Sequence, residues 1–276
     1  RINIYGTTLA DTISGSSQRD NVYGGTGNDS ILGNAGDDYI DALGDNDIVY
    51  GGLGNDTILG YDGNDSLYGD EGNDSLSGEN GTDRLYGGDG NDTLNGGGGT
   101  DFLYAGEGTD SLYGGDGTGY FYGGVDNSAS SYFGGTSNDY FYKNSTTSGI
   151  NDESYYGGDG SDWLYWDNSG VTGNRVVNLA TGFVTFSGAN RDVLSSIENV
   201  GVYNGAGIIG DANANYLFAS GAYDNVIEGG TGDDTIYGGD GNDSLYAGDG
   251  VDLVSGGSGH DVLEDGTTSA SGNDTF

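Results

Sequence analysis

Residues 51–59 read GGLGNDTIL and residues 87–95 read GGDGNDTLN. They are the clearest copies of a nine-residue repeat that runs thirteen times from Gly6 to Tyr122 without an insertion. Counted from the first residue of each repeat, position six carries Asp11, Asp20, Asp29, Asp38, Asp47, Asp56, Asp65, Asp74, Asp83, Asp92, Asp101 and Asp110, and fails at Gly119. Position eight carries Ile13, Val22, Ile31, Ile40, Val49, Ile58, Leu67, Leu76, Leu85, Leu94, Leu103, Leu112 and Phe121, one large apolar side chain per repeat. Each repeat therefore reads as a Gly-rich turn bearing an acid, then about three residues of strand whose middle residue points inward. Nine residues cannot bury a core alone, so the repeats must stack.

Turns need Asn or Gly but no aspartate at one fixed place, so the acid register asks for a purpose. Parallel strands repeat every ~4.8 Å, and stacked carboxylates at that spacing repel unless something compensates them. A hard cation taking about six to eight oxygens would do so, with carboxylates and turn carbonyls as donors. Glycine permits the positive φ that aims such carbonyls inward. The alternative is a solvated, metal-free acidic ladder.

The pattern G-G-x-G-x-D-x-U-x, with U a large apolar residue, resembles the RTX (haemolysin-type) calcium-binding repeat over about two-thirds of the chain. The resemblance implies an all-β fold, a right-handed parallel β-roll. In such a roll two repeats make one coil, alternate strands fall on opposite sheets, and several Ca²⁺ ions sit between turns. The implied metal ligands are the position-six aspartates above with Asp139, Asp162, Asp234, Asp243, Asp252 and Asp261. Turn glycines join them through their carbonyls: Gly24, Gly33, Gly51, Gly60, Gly69, Gly78, Gly87, Gly96, Gly229 and Gly238.

Composition agrees with a cation-binding chain. Forty-four Asp and Glu stand against six Lys and Arg, a formal charge of −38, which disfavours nucleic acid and anionic membranes as partners. Sixty glycines would signal disorder were they not placed in register, so order conditional on metal is expected. There is no Cys for disulfides or thiolate sites, and no Pro to interrupt a hydrogen-bond ladder. The opening RINIYGTT holds no basic region before an apolar run, and no stretch approaches the ~18 apolar residues of a membrane span. Register already holds at Gly6 and GNDTF ends in mid-repeat, as expected of an excerpt from a longer polypeptide.

Along the chain a first block spans 1–165, regular over 6–122 and looser over 123–165. Gly123–Phe133 holds two extra residues, Gly134–Tyr142 returns to form, Lys143–Tyr156 is a longer polar loop, and Gly157–Tyr165 restores the pattern. A non-repeat β spacer covers 166–200. Within it Arg175–Phe186 reads as two short strands around Ala180-Thr181-Gly182, and Asp192–Val200 as a strand or a capped helical turn. The spacer either continues the solenoid in wider coils or forms a small interrupting subdomain. A second block, 201–276, is degenerate over 201–228, where Ala206, Asn215 and Asn225 replace the acid and no ion is expected, and regular over 229–264.

Residues eighteen apart should stack. Position nine on one face gives Tyr50, Tyr68, Tyr86, Tyr104 and Tyr122, continuing to Tyr142 and Tyr165, with Trp163 at position seven. These form a candidate interaction face, for self-association or cell-surface contact, or else stiffen an exposed sheet.

Signatures of catalysis are absent. The single histidine, His260, cannot make HExxH, no GxSxG occurs, and Leu67 stands where an EF-hand loop needs glycine. The acids that could pair for glycoside hydrolysis are accounted for by turn register. The function expected is a calcium-dependent structural or assembly module, non-enzymatic, of a secreted or cell-surface bacterial protein of surface-layer, fibril or adhesin type. The RTX resemblance implies type I secretion, with the chain disordered in low calcium and folding outside the cell. The alternative is a non-catalytic secretion and folding block of an exported protease, lipase or toxin. Ice binding fits poorly, since regular Thr or Asn columns are not continuous.

Overall fold

The computed structural model describes residues 1–124, 128–144, 152–167, 175–186 and 191–266. Residues 125–127, 145–151 of the polar loop, 168–174 and 187–190 of the spacer and the last ten residues lie outside the described ones. The described residues form strands, bridges and turns with no helix. Packing divides them into two compact units, Arg1–Phe141 with Gly158–Gly160, and Tyr142–Gly157 with Ser161–Phe276. The blocks defined by repeat register, 1–165, 166–200 and 201–276, divide the chain by sequence rather than by packing.

The first unit is a parallel β-solenoid. Its alternate strands form two sheets, each strand paired with the one eighteen residues on. In one sheet Val22 pairs with Ile40, Ile40 with Ile58, Ile58 with Leu76, and Leu76 with Leu94. In the other Ile31 pairs with Val49, Val49 with Leu67, Leu67 with Leu85, and Leu85 with Leu103. Position eight points inward throughout: Val22, Ile31, Ile40, Val49, Ile58, Leu67, Leu85, Leu94, Leu103 and Leu112 are fully buried. The two-residue insert shifts the register so that Leu112 faces Tyr132, and the core side chain grows from Leu to Tyr and Phe.

Turn geometry explains the glycines. Gly72 has φ of +146°, and a Cβ there would run into the Gly54 carbonyl of the preceding coil. Position two also lies at positive φ, which Gly52 and Gly88 adopt easily but Leu43 and Tyr61 adopt under strain.

The second unit keeps this parallel pairing. Leu164 pairs with Val200, Val200 with Leu217, Leu217 with Ile236, and Ile236 with Val254. Arg175–Asn178 and Phe183–Phe186 form an antiparallel hairpin, turned by Gly182 at φ +70°. The hairpin joins the sheet on both sides, Val177 beside Ile208 in parallel and Val184 beside Asp192 in antiparallel. Asp192–Val200 contributes to two strands, Arg191–Ser195 and Asn199–Tyr203, and to no helical turn.

Because Leu67 is fully buried between coils, Leu67→Ala should cost on the order of 2–5 kcal/mol in calcium-saturated protein. The shift of the urea unfolding midpoint measures it.

Candidate calcium ladder

The position-six aspartates stack into two ladders with one hydrogen-bond pattern. Asp38 N–H donates to Asp56 Oδ1 at 2.7 Å, Asp47 N–H to Asp65 Oδ1 at 2.8 Å, and Asp56 N–H to Asp74 Oδ1 at 2.7 Å. The same bond recurs from Asp65 to Asp83, Asp74 to Asp92, Asp83 to Asp101, and Asp92 to Asp110. It returns in the second unit from Asp234 to Asp252 and from Asp243 to Asp261.

One oxygen of each carboxylate is thus consumed by the backbone. The Oδ2 atoms of Asp29, Asp38, Asp47, Asp56, Asp65, Asp74, Asp83, Asp92, Asp101, Asp234 and Asp243 are buried with no hydrogen-bond donor in reach. A buried unpaired carboxylate oxygen is costly. Burial pushes Asp47, Asp56, Asp83 and Asp234 up to about 7, and stacked carboxylates add to it against the lowering effect of the accepted backbone bonds. Asp38, Asp65, Asp74, Asp92 and Asp101 rise to about 6, again chiefly through burial.

The glycines lie where these oxygens point. A Cβ on Gly96 would stand 2.6 Å from Asp101 Oδ2 and 2.9 Å from the Gly114 carbonyl, and one on Gly238 2.5 Å from Asp243 Oδ2 and 2.7 Å from the Gly256 carbonyl. Gly24, Gly33, Gly51, Gly60, Gly69, Gly78, Gly87 and Gly229 share this setting, each between its own repeat's carboxylate and the position-one carbonyl of the next coil. Glycine leaves that space open at these positions, whereas Ala42 takes position one in the Asp47 repeat.

Donor chemistry and geometry both fit a hard cation: anionic oxygen without a proton donor, neutral carbonyl oxygens beside it, and no nitrogen or sulfur ligand. Among the described residues no three His, Cys, Asp or Glu side chains converge. A cage here would take one carboxylate at a time plus backbone carbonyls.

The family model for the RTX calcium-binding nonapeptide repeat matches residues 5–40, 23–58, 59–94, 86–121, 95–128, 219–254 and 228–263. The chain belongs to the RTX repeat family. No curated protein matches it. The repeat is described as calcium-binding, the chemistry that the orphaned oxygens fit.

Several predicted positions depart from the common rung. Asp11 Oδ2 accepts from Thr7 N–H and Oγ1 at 2.5 and 2.8 Å, and Asp20 Oδ2 from Ser16 N–H and Oγ, both at 2.7 Å. A hydroxyl residue at position two, in place of glycine, supplies these donors. Asp110 N–H donates to Ser130 Oγ at 3.0 Å, the ladder there continuing through a hydroxyl. Asp139 Oδ1 accepts the Gly119 N–H at 2.6 Å, and Asp162 N–H donates to Glu198 Oε2 at 2.8 Å.

Sequence reasoning overlooked position five. Asn46, Asn55, Asn64 and Asn73 each accept, through Oδ1, the position-five N–H of the next coil at 2.7–2.8 Å. The recurring Asn-Asp pair was the available signal. Asn225, which replaces the position-six acid, donates through Nδ2 to the Tyr223 and Gly238 carbonyls at 2.8 and 3.2 Å. An amide there satisfies carbonyls that a cation would otherwise bind.

The position-nine tyrosines of the first unit stack as their spacing implies. In the first unit Tyr50, Tyr68, Tyr86, Tyr104 and Tyr122 lie in sequence with ring centroids 4.6–4.7 Å apart. In the second, Tyr165 stacks on Tyr142 at 5.0 Å and on Trp163 at 5.4 Å.

Two outcomes follow for the metal-free protein. The raised aspartates bind more protons folded than unfolded between about pH 4, the ordinary carboxylate value, and pH 7, so without calcium stability should rise as pH falls through that window. Circular dichroism in EDTA at pH 7 and pH 5 tests the sign, with more β-structure expected at pH 5. Asp56→Asn keeps the Oδ1 acceptor and adds a donor, as at Asn225. It should raise the β-content seen by circular dichroism in EDTA while lowering the calcium bound per chain in equilibrium dialysis.

Proposed function

We propose that this chain is a calcium-dependent structural and assembly module of a secreted or cell-surface bacterial protein, of surface-layer, fibril or adhesin type. It stays disordered in low calcium and folds on meeting calcium outside the cell. The observation carrying this reading is the row of buried Oδ2 atoms from Asp29 to Asp101, each without a donor and all but that of Asp47, whose repeat has Ala42 at position one, beside a glycine.

When bound, calcium supplies positive charge between carboxylates that otherwise repel. Asp29, Asp38, Asp47, Asp56, Asp65, Asp74, Asp83, Asp92 and Asp101, then Asp234 and Asp243, would hold it with the position-one carbonyls. Asp110, Asp139, Asp162, Asp252 and Asp261 continue the same register. Metal binding then supplies folding free energy, because the unfolded chain has no preformed site. Extracellular modules bind calcium at about 10⁻⁴–10⁻³ M, which separates a low-calcium interior from the outside. A chain of charge −38, without Cys or Pro, suits export unfolded, and no described helix is long and apolar enough to cross a membrane.

The half-buried column Tyr50, Tyr68, Tyr86, Tyr104 and Tyr122 supports assembly through self-association, because it presents five flat rings in a row on the outside of one sheet.

Calcium added to EDTA-treated protein, followed by circular dichroism and sedimentation, should give cooperative β-structure near millimolar calcium with oligomers following. Structure that persists unchanged in EDTA would refute the calcium mechanism. Replacing Tyr68, Tyr86 and Tyr104 by Ser should leave folding in calcium intact and lower the assembled fraction several-fold. Unchanged assembly would remove the aromatic face from the proposal.

A further inference from the structure

The second unit contains a rung outside the nonapeptide register. Glu153 N–H donates to Asp192 Oδ1 at 3.1 Å, and Val193 N–H donates to the Glu153 carbonyl at 2.9 Å. These are the two bonds that join Asp38 to the Asp56 coil, where Asp38 N–H reaches Asp56 Oδ1 and Thr57 N–H reaches the Asp38 carbonyl. Strand pairing of Tyr155 with Leu194 places Glu153 and Asp192 at position six.

At this rung the second oxygen is occupied. Asp192 Oδ2 accepts from Lys143 Nζ at 2.7 Å, and the same ammonium is ion-paired with Glu153 Oε2, which also accepts from Tyr155 Oη at 2.7 Å. Lys143, Glu153 and Asp192 are all buried. Lys143 Nζ lies 5.2 Å from the centroid of the Trp166 ring, whose other neighbour is the Arg175 guanidinium at 5.6 Å. The cluster thus gathers two carboxylates and two cations. Burial alone would lower the Lys143 pKa, but Glu153 and Asp192 outweigh it and raise it, so the ammonium stays charged.

We propose that Lys143 is a resident cation: its ammonium takes at the Glu153–Asp192 rung the place that calcium takes elsewhere, so that this part of the second unit folds without metal. The inference rests on the calcium reading of the other rungs. Asn225 shows the same principle in neutral form, its amide meeting two carbonyls in place of an ion. The second unit therefore carries a metal-independent kernel, residues 154–157 with Arg191–Ser195.

Hydrogen exchange on the full chain, in EDTA and in millimolar calcium, tests this with Lys143→Met and Lys143→Arg beside the wild type. In EDTA the wild-type segments 154–157 and 191–195 should exchange on the order of tenfold more slowly than 57–107. Lys143→Met should abolish that difference in EDTA and regain protection in calcium, the two carboxylates then being free for the ion. Lys143→Arg should keep it. Fast exchange of 154–157 and 191–195 in wild-type protein in EDTA, or unchanged protection in Lys143→Met, would overturn the proposal. So would an arginine variant as unprotected as the methionine one, since charge would then not be what holds the rung. Slow exchange of 57–107 in EDTA would instead count against the calcium reading, and the Lys143 comparison would still be read from its variants.

Discussion

Each rung in the two ladders spends one carboxylate oxygen on a backbone N–H of the preceding coil and leaves the other buried. The hydrogen bond fixes the aspartate in the turn, so it cannot swing out to water without breaking the ladder. Neighbouring carboxylates one coil apart, at about 4.8 Å, repel by about 3.5 kcal/mol per pair if an effective dielectric near 20 applies. The first unit's uninterrupted run from Asp29 to Asp101 accumulates this cost at every turn. Calcium turns the same arrangement into attraction.

The hydrophobic side of the balance explains why the cost cannot simply be absorbed. One fully buried Leu per repeat is a small core to set against the backbone entropy lost in ordering nine residues. Backbone pairing and stacked tyrosines add to the favourable side, but each repeat remains a poor folder in isolation. A solenoid so short of core per residue is responsive to whatever neutralises its turns. Where the cation is built in, as at Lys143, or where Thr7, Ser16 and Asn225 supply donors, the dependence is locally removed.

The eighteen-residue periodicity was legible because every repeat from Gly6 to Tyr122 has the same length, so Leu67 had to face Leu85 and Tyr68 had to face Tyr86. The glycines opposite the carboxylates were legible for the same reason. The Glu153–Asp192 rung was not, because a hairpin inserted between the two residues hides a register that only strand pairing restores. Nor could spacing reveal that Asp11 and Asp20 meet hydroxyl donors, a difference made by single residues at position two. The Asn ladder at position five escaped because asparagine in a turn already has a sufficient local explanation.

Anomalous diffraction from crystals grown in calcium tests the central claim most directly, because it locates the ions themselves. Peaks should lie beside the Oδ2 atoms of Asp29 through Asp101 and of Asp234 and Asp243, next to the position-one carbonyls, with none at Lys143 or Asn225. Calcium found only at exposed surface acids, with the buried Oδ2 atoms bare, would contradict the claim that the ladder exists to be closed by metal.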